Sequence, residues 1–135
     1  MTTPPLENMS RGEILYHLLK KERGYYDAIL EQLELERGIL DNKGSISALT
    51  TLNRKKQLLF TCIEEIEAAI HPLKKLWHSE SNQKDLHFQR VKEELEALDI
   101  LLKKILQEDQ ANQKQMRAYL FILKQKKQKL KAQGS

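Results

Sequence analysis

A single cysteine, three prolines, five glycines and an aromatic content of 6% are spread over 135 residues. With one thiol, Cys62, the chain cannot close a disulfide on itself or build a thiolate metal site. Cys62 stands between Phe60 and Ile63 in an apolar stretch, and we expect it to be a small buried core residue. Histidine is equally unhelpful to a metal. His17, His71, His78 and His87 include no pair three or four residues apart, so no helix face carries two imidazoles in ligand spacing. There is no glycine-rich phosphate loop, and no serine or cysteine stands in a nucleophile motif. We therefore expect a non-enzymatic protein with no cofactor and no metal.

Long apolar runs are also missing. The longest, Ala118–Leu123, falls far short of the ~20 residues of a membrane-spanning helix, so no stable membrane insertion is expected. The opening MTTPPLENMS has neither the basic nor the apolar stretch of a signal peptide. These absences point to the cytoplasm. Length allows one domain and not two independent cores.

What fills the chain is Leu, Lys, Glu and Gln, residues that lose little rotamer freedom in a helix. An all-α fold follows. Pro4 and Pro5 make residues 1–10 a poor helix and a flexible tail by expectation. Ser10-Arg11-Gly12-Glu13 has the form of a capping box. Behind it Leu15, Leu19, Tyr26, Ile29, Leu33 and Leu40 step by threes and fours, with Glu22 and Glu36 filling the two missing places. This predicts a first helix over about 12–40. Asp41-Asn42-Lys43-Gly44 is a turn by composition, with Gly44 the residue suited to positive φ. Ser45 or Ser47 can cap the next helix.

The second stripe runs Leu49, Leu52, Lys56, Leu59, Ile63, Ile66, Ile70, Leu73, Trp77. Pro72 should kink or stop it near His71, so a helix over 46–77 that fades by Trp77 is expected. A polar stretch, His78–Lys84, reads as a loop, and Asp85 as the cap of a third helix over 85–131. Its stripe is Val91, Leu95, Leu98, Leu102, Ile105, then Met116, Tyr119, Leu123, Leu130. Between these blocks the spacing falls on Asp109 and Asn112, so 107–115 offers no apolar face. No Gly or Pro occurs from Asp85 to Gln133, which favours one unbroken helix. The architecture expected is an elongated antiparallel three-helix bundle, or coiled coil, of long helices in a single domain over 11–132.

Three charged residues inside the stripes admit two readings. Glu22, Glu36 and Lys56 can sit at the rim with their stems snorkelling outward, or they can pair between helices and fix register. The rim is the expectation. Net charge divides unevenly along the chain. Up to Asp109 there are 16 Lys/Arg against 19 Asp/Glu, a net of −3; from Gln110 onward there are seven bases and no acid. Such a segment can attract nucleic acid, a membrane surface or an acidic protein face. With no base-stacking aromatic cluster and no helix-turn-helix spacing, nucleic acid is not expected. Met116, Tyr119, Leu120, Phe121 and Leu123 put apolar residues on more than one side of a helix. A helix in a thin bundle cannot bury all of them internally, so this stretch serves either homodimer or bundle packing or the reception of a foreign helix.

The passage from Leu18 to Leu59 resembles the flagellar export chaperones of the FlgN type. The residues that carry the likeness are Leu18-Leu19, Glu22, Tyr26, Ile29-Leu30, Leu33, Glu36 and Leu40, then Leu49-Thr50, Lys55 or Lys56, and Leu58-Leu59. The polar stretch around Asn112 and the apolar residues after it are similar to the family's last helix. Asn42-Lys43-Gly44-Ser45, where relatives often have Asp, and Pro72 depart from the pattern. The resemblance implies a cytosolic chaperone of type III secretion. Such a protein binds the carboxy-terminal amphipathic helix of hook–filament junction (hook-associated) proteins, prevents their premature assembly and hands them to the export apparatus. It places the partner-binding residues at Met116, Tyr119, Leu120 and Leu123. A structural coiled-coil subunit, including a homodimer or another secretion-system adaptor, and a basic nucleic-acid-binding helix are the competing readings.

Overall fold

A computed structural model describes residues 10–79 and 87–134. Three helices make up the described chain: α1 (Arg11–Asp41), α2 (Ile46–Ser79) and α3 (Phe88–Gln133). The expected tail at residues 1–9, most of the second loop and the cap assigned to Asp85 lie outside the described residues. As described, α3 begins at Phe88 rather than at 85.

The ends of the α1–α2 hairpin have local causes. The Ser10 hydroxyl accepts from the Glu13 amide at 3.1 Å, the serine half of the capping box. Ser45, not Ser47, caps α2, accepting from the Ala48 amide at 3.3 Å. α1 ends in a Schellman arrangement: the Gly44 amide donates to the Ile39 carbonyl at 2.8 Å and the Lys43 amide to Leu40 at 3.1 Å. The left-handed residue in this turn is Lys43, with φ of 51°, and not Gly44. Gly44 answers a different need. A Cβ there would stand 2.9 Å from Ile39 Cγ2, so the residue is small because the chain passes close over α1.

α1 is the central helix and packs along both others, while α2 and α3 meet chiefly through side chains. α2 runs antiparallel to α1, since Glu36 lies by Lys56 and Glu22 by Glu67. α3 returns parallel to α1, since Arg23 pairs with Glu94 and Asp41 bonds to Gln115. The whole predicted stripe of α1 is buried, including Glu22 and Glu36. With Ile66 and Ile70 of α2 and Val91, Leu98 and Ile105 of α3 it forms the core.

Four expectations are corrected. α2 passes through Pro72 and continues to Ser79 instead of fading by Trp77. Packing on both sides of the proline holds it: Ile70 and Leu73 join the core, and the Trp77 ring stacks on Phe88 at 5.4 Å between centroids. Cys62 is only partly buried, because it lies one step off the α2 stripe beside Ile63. Leu102 is exposed at an edge, and Leu101 packs against the core instead. Glu22, Glu36 and Lys56 are not at the rim but inside.

Candidate helix-docking surface

The segment 107–115, which has no apolar face in sequence, is continuous helix and is held by polar partners. Lys56 of α2 is 1% exposed, and its ammonium donates to Asp109 Oδ1 on α3 at 2.8 Å and to Glu36 Oε2 on α1 at 3.4 Å. One turn further along α3, the buried Asn112 side chain donates to the Leu33 carbonyl of α1 at 2.9 Å. Gln115 then donates to Asp41 at 2.7 Å. A cation shared by acids from two other helices cannot slide a turn without leaving a charge unpaired, so this layer sets the register of the bundle.

Tyr119 completes the tie. Its one hydroxyl proton is shared between the carbonyls of Gly44 at 2.8 Å and Lys43 at 3.0 Å, tying α3 to the turn between α1 and α2. Beyond Leu123 the bundle stops and α3 does not. Every residue from Lys124 to Gly134 is exposed, and of residues 120–123 only Leu123 is half-buried. At 1.5 Å per residue, the 14 residues from Leu120 to Gln133 project about 20 Å past the turn.

Of the four residues singled out from sequence, the structure brings two together in a recess. Met116 and Leu120 face Ile46, Leu49, Thr50 and Asn53 of α2 across a hollow of about 160 Å³. Tyr119 is committed to the turn, and Leu123 follows it on the bundle-facing stripe. Phe121 and Ile122 complete the apolar surface: they are 63% and 48% exposed, beside Leu120 at 42%. The signal for them was the unbroken run Ala118–Leu123. Six consecutive apolar residues pass more than once round a helix, so whichever side the bundle covers, others face solvent. Of the α2 wall, Leu49 stands in the predicted stripe, whereas its meeting with Met116 across the helices depends on their register and was not visible in sequence.

The edge of α3 turned toward α2 carries this surface back along the bundle. Leu102, Leu106, Gln113, Arg117 and Leu120 step by fours, a seven and a three, and the hollow around Leu106 and Arg117 lies between the two ends. Farther back, Leu98, Asp99 and Leu102 face Glu67 and Lys74 of α2 over a smaller recess of about 140 Å³ floored by Glu22 and Tyr26. Burial, then the Glu67 carboxyl beside it, pushes the Glu22 carboxyl up to about 8, against the pull of Tyr26 and Lys74. Burial and Glu22 likewise raise the Tyr26 hydroxyl above its ordinary range. The raised value favours the protonated form, and a buried neutral carboxyl is far less costly than a buried charge.

Among the described residues no group of three or more His, Cys, Asp or Glu side chains is placed to hold a metal ion. None of the helices is long and apolar enough to cross a membrane. The chain matches no family model, no curated protein and no solved structure.

Proposed function

We propose that the protein is a cytoplasmic, non-enzymatic export chaperone that captures an amphipathic helix along the α2–α3 edge and the start of the α3 projection. The observation that carries this reading is the apolar belt at 118–123. Leu120, Phe121 and Ile122 are exposed on a helix whose bundle covers only one side, next to the ready-made recess at Met116. A contiguous exposed apolar patch on a helix is the kind of surface that marks an interaction site. The family resemblance supplies the occupant: the carboxy-terminal helix of a hook-associated protein, held before hand-over to the export apparatus. A disordered tail loses entropy on docking and regains free energy by burying its apolar stripe.

Calorimetric titration with a peptide spanning that carboxy-terminal helix, from a hook-associated protein of the same organism, tests the reading. Binding at micromolar concentration or tighter, with a negative heat-capacity change, supports helix capture. Absence of heat at high concentration, together with a stable dimer by sedimentation, favours the self-associating coiled coil instead.

A further inference from the structure

We infer that the helix received at the α3 projection is an acidic one, with carboxylates flanking its apolar stripe. This rests on the helix-capture reading and adds the chemistry of the partner. Arg117, Lys124 and Lys131 stand seven residues apart, so they lie in one row along α3. Leu120 and Phe121 sit between Arg117 and Lys124 along the helix, each three or four residues from both. All five side chains are exposed. One exposed face of α3 therefore combines a row of cations with apolar residues on either side of it, and there is no acid from Gln110 to the end of the chain.

Charge also decides between occupants. Two projections from two copies laid side by side would set five bases against five with no carboxylate between them. Like charges at an interface disfavour that pairing, while an acidic helix gains from every one of them. Flanking acids would also steer the encounter, because the projecting segment is the most cationic part of the molecule and stands clear of the acid-bearing bundle.

The test uses the full chain and three synthetic peptides of about 20 residues with one identical leucine stripe. Their flanking positions are Glu in the first, Gln in the second and Lys in the third. At low salt the Glu peptide should bind about tenfold more tightly than the Gln peptide, as three or four exposed ion pairs provide, and the advantage should shrink at 0.3 M salt. Arg117→Glu/Lys124→Glu/Lys131→Glu should reverse the order and favour the Lys peptide. Leu120→Ser/Phe121→Ser should abolish binding of all three, while Phe121→Ser alone, at the more exposed position, should weaken binding with a melting curve close to wild type. Equal binding of the three peptides overturns the acidic partner while leaving helix capture intact. No binding of any peptide overturns helix capture itself. A dimer that Leu120→Ser/Phe121→Ser dissociates and no peptide disrupts makes the occupant a second copy and overturns the inference. Tight, salt-dependent binding of a single-stranded oligonucleotide that displaces the Glu peptide from the wild-type chain does so as well.

Discussion

The Lys56 ammonium on α2 donates to the Asp109 carboxylate on α3 at 2.8 Å while keeping Glu36 of α1 within 3.4 Å. One buried cation thus joins all three helices. Its removal leaves Glu36, 1% exposed, as an unpaired buried acid. Lys56→Ala should therefore destabilise the fold by about 3–5 kcal/mol, measured by urea denaturation. Lys56→Glu should be worse, since it puts three carboxyls together. A charge reversal that leaves the unfolding midpoint unchanged would rule out the register role. Replacing all three partners by apolar residues of similar size should restore much of the loss, because the pair's own desolvation is then avoided.

Glu22 makes stability depend on pH in an unusual direction for a carboxylate. Its folded pKa is raised to about 8 from 4.5, so below pH 4.5 it is protonated in both states and its burial is undisturbed. Between 4.5 and 8 the unfolded chain releases the proton while the folded one keeps it, and stability falls with rising pH; above 8 the slope ends. Glu22→Gln, which keeps the neutral shape, should remove this slope and gain on the wild type steadily from pH 4.5 to 8. Thermal melts of both proteins across that range check it. A constant difference would show that Glu22 ionises normally.

The two charged sites explain which part of the fold was legible in sequence. Heptad spacing fixed the buried face of α1 residue by residue, Glu22 and Glu36 included, because spacing depends only on helix geometry. It could not say that these acids lie inside, since a carboxylate in a stripe usually reaches the rim. Burial depended on groups from other helices, such as Lys56 for Glu36, 20 residues away in sequence. At Pro72 the local cost is visible in sequence, whereas the Trp77–Phe88 stack on its far side is not. At the candidate surface, the belt at 118–123 was visible as a run. Which of its residues face the turn was decided by two carbonyls of the α1–α2 connection.

The α1–α2 turn offers a stabilising change. Lys43 holds a φ of 51°, a conformation that costs a residue with a Cβ about 1 kcal/mol or more relative to glycine. Lys43→Gly keeps the backbone carbonyl that receives the Tyr119 hydroxyl and should raise stability by roughly 0.5–1 kcal/mol. Gly44→Ala should act oppositely, because the new methyl meets the stiff, β-branched Ile39 at 2.9 Å. Differential scanning calorimetry should therefore rank Lys43→Gly above wild type and wild type above Gly44→Ala. A reversed order would mean that the left-handed position is Gly44 after all.

Stability and partner binding should separate between two neighbouring aromatics. Tyr119 is half-buried and its hydroxyl ends on the turn, whereas Phe121, two residues on, is 63% exposed. Tyr119→Phe deletes the bonds to Lys43 and Gly44 and should cost about 0.5–1.5 kcal/mol of stability. It should leave the affinity for a captured helix nearly unchanged, since α3 stays anchored by Asn112 and Lys56. Phe121→Ser removes no internal contact of the bundle, so its melting temperature should stay at the wild-type value. Its affinity should drop at least tenfold, the scale on which truncating a buried aromatic anchor at an interface is felt. Measured together, the two variants distinguish a docking surface from a merely cohesive one. If both lower stability and neither alters binding, the belt at 118–123 belongs to the fold, and capture must occur farther back along the α2–α3 edge.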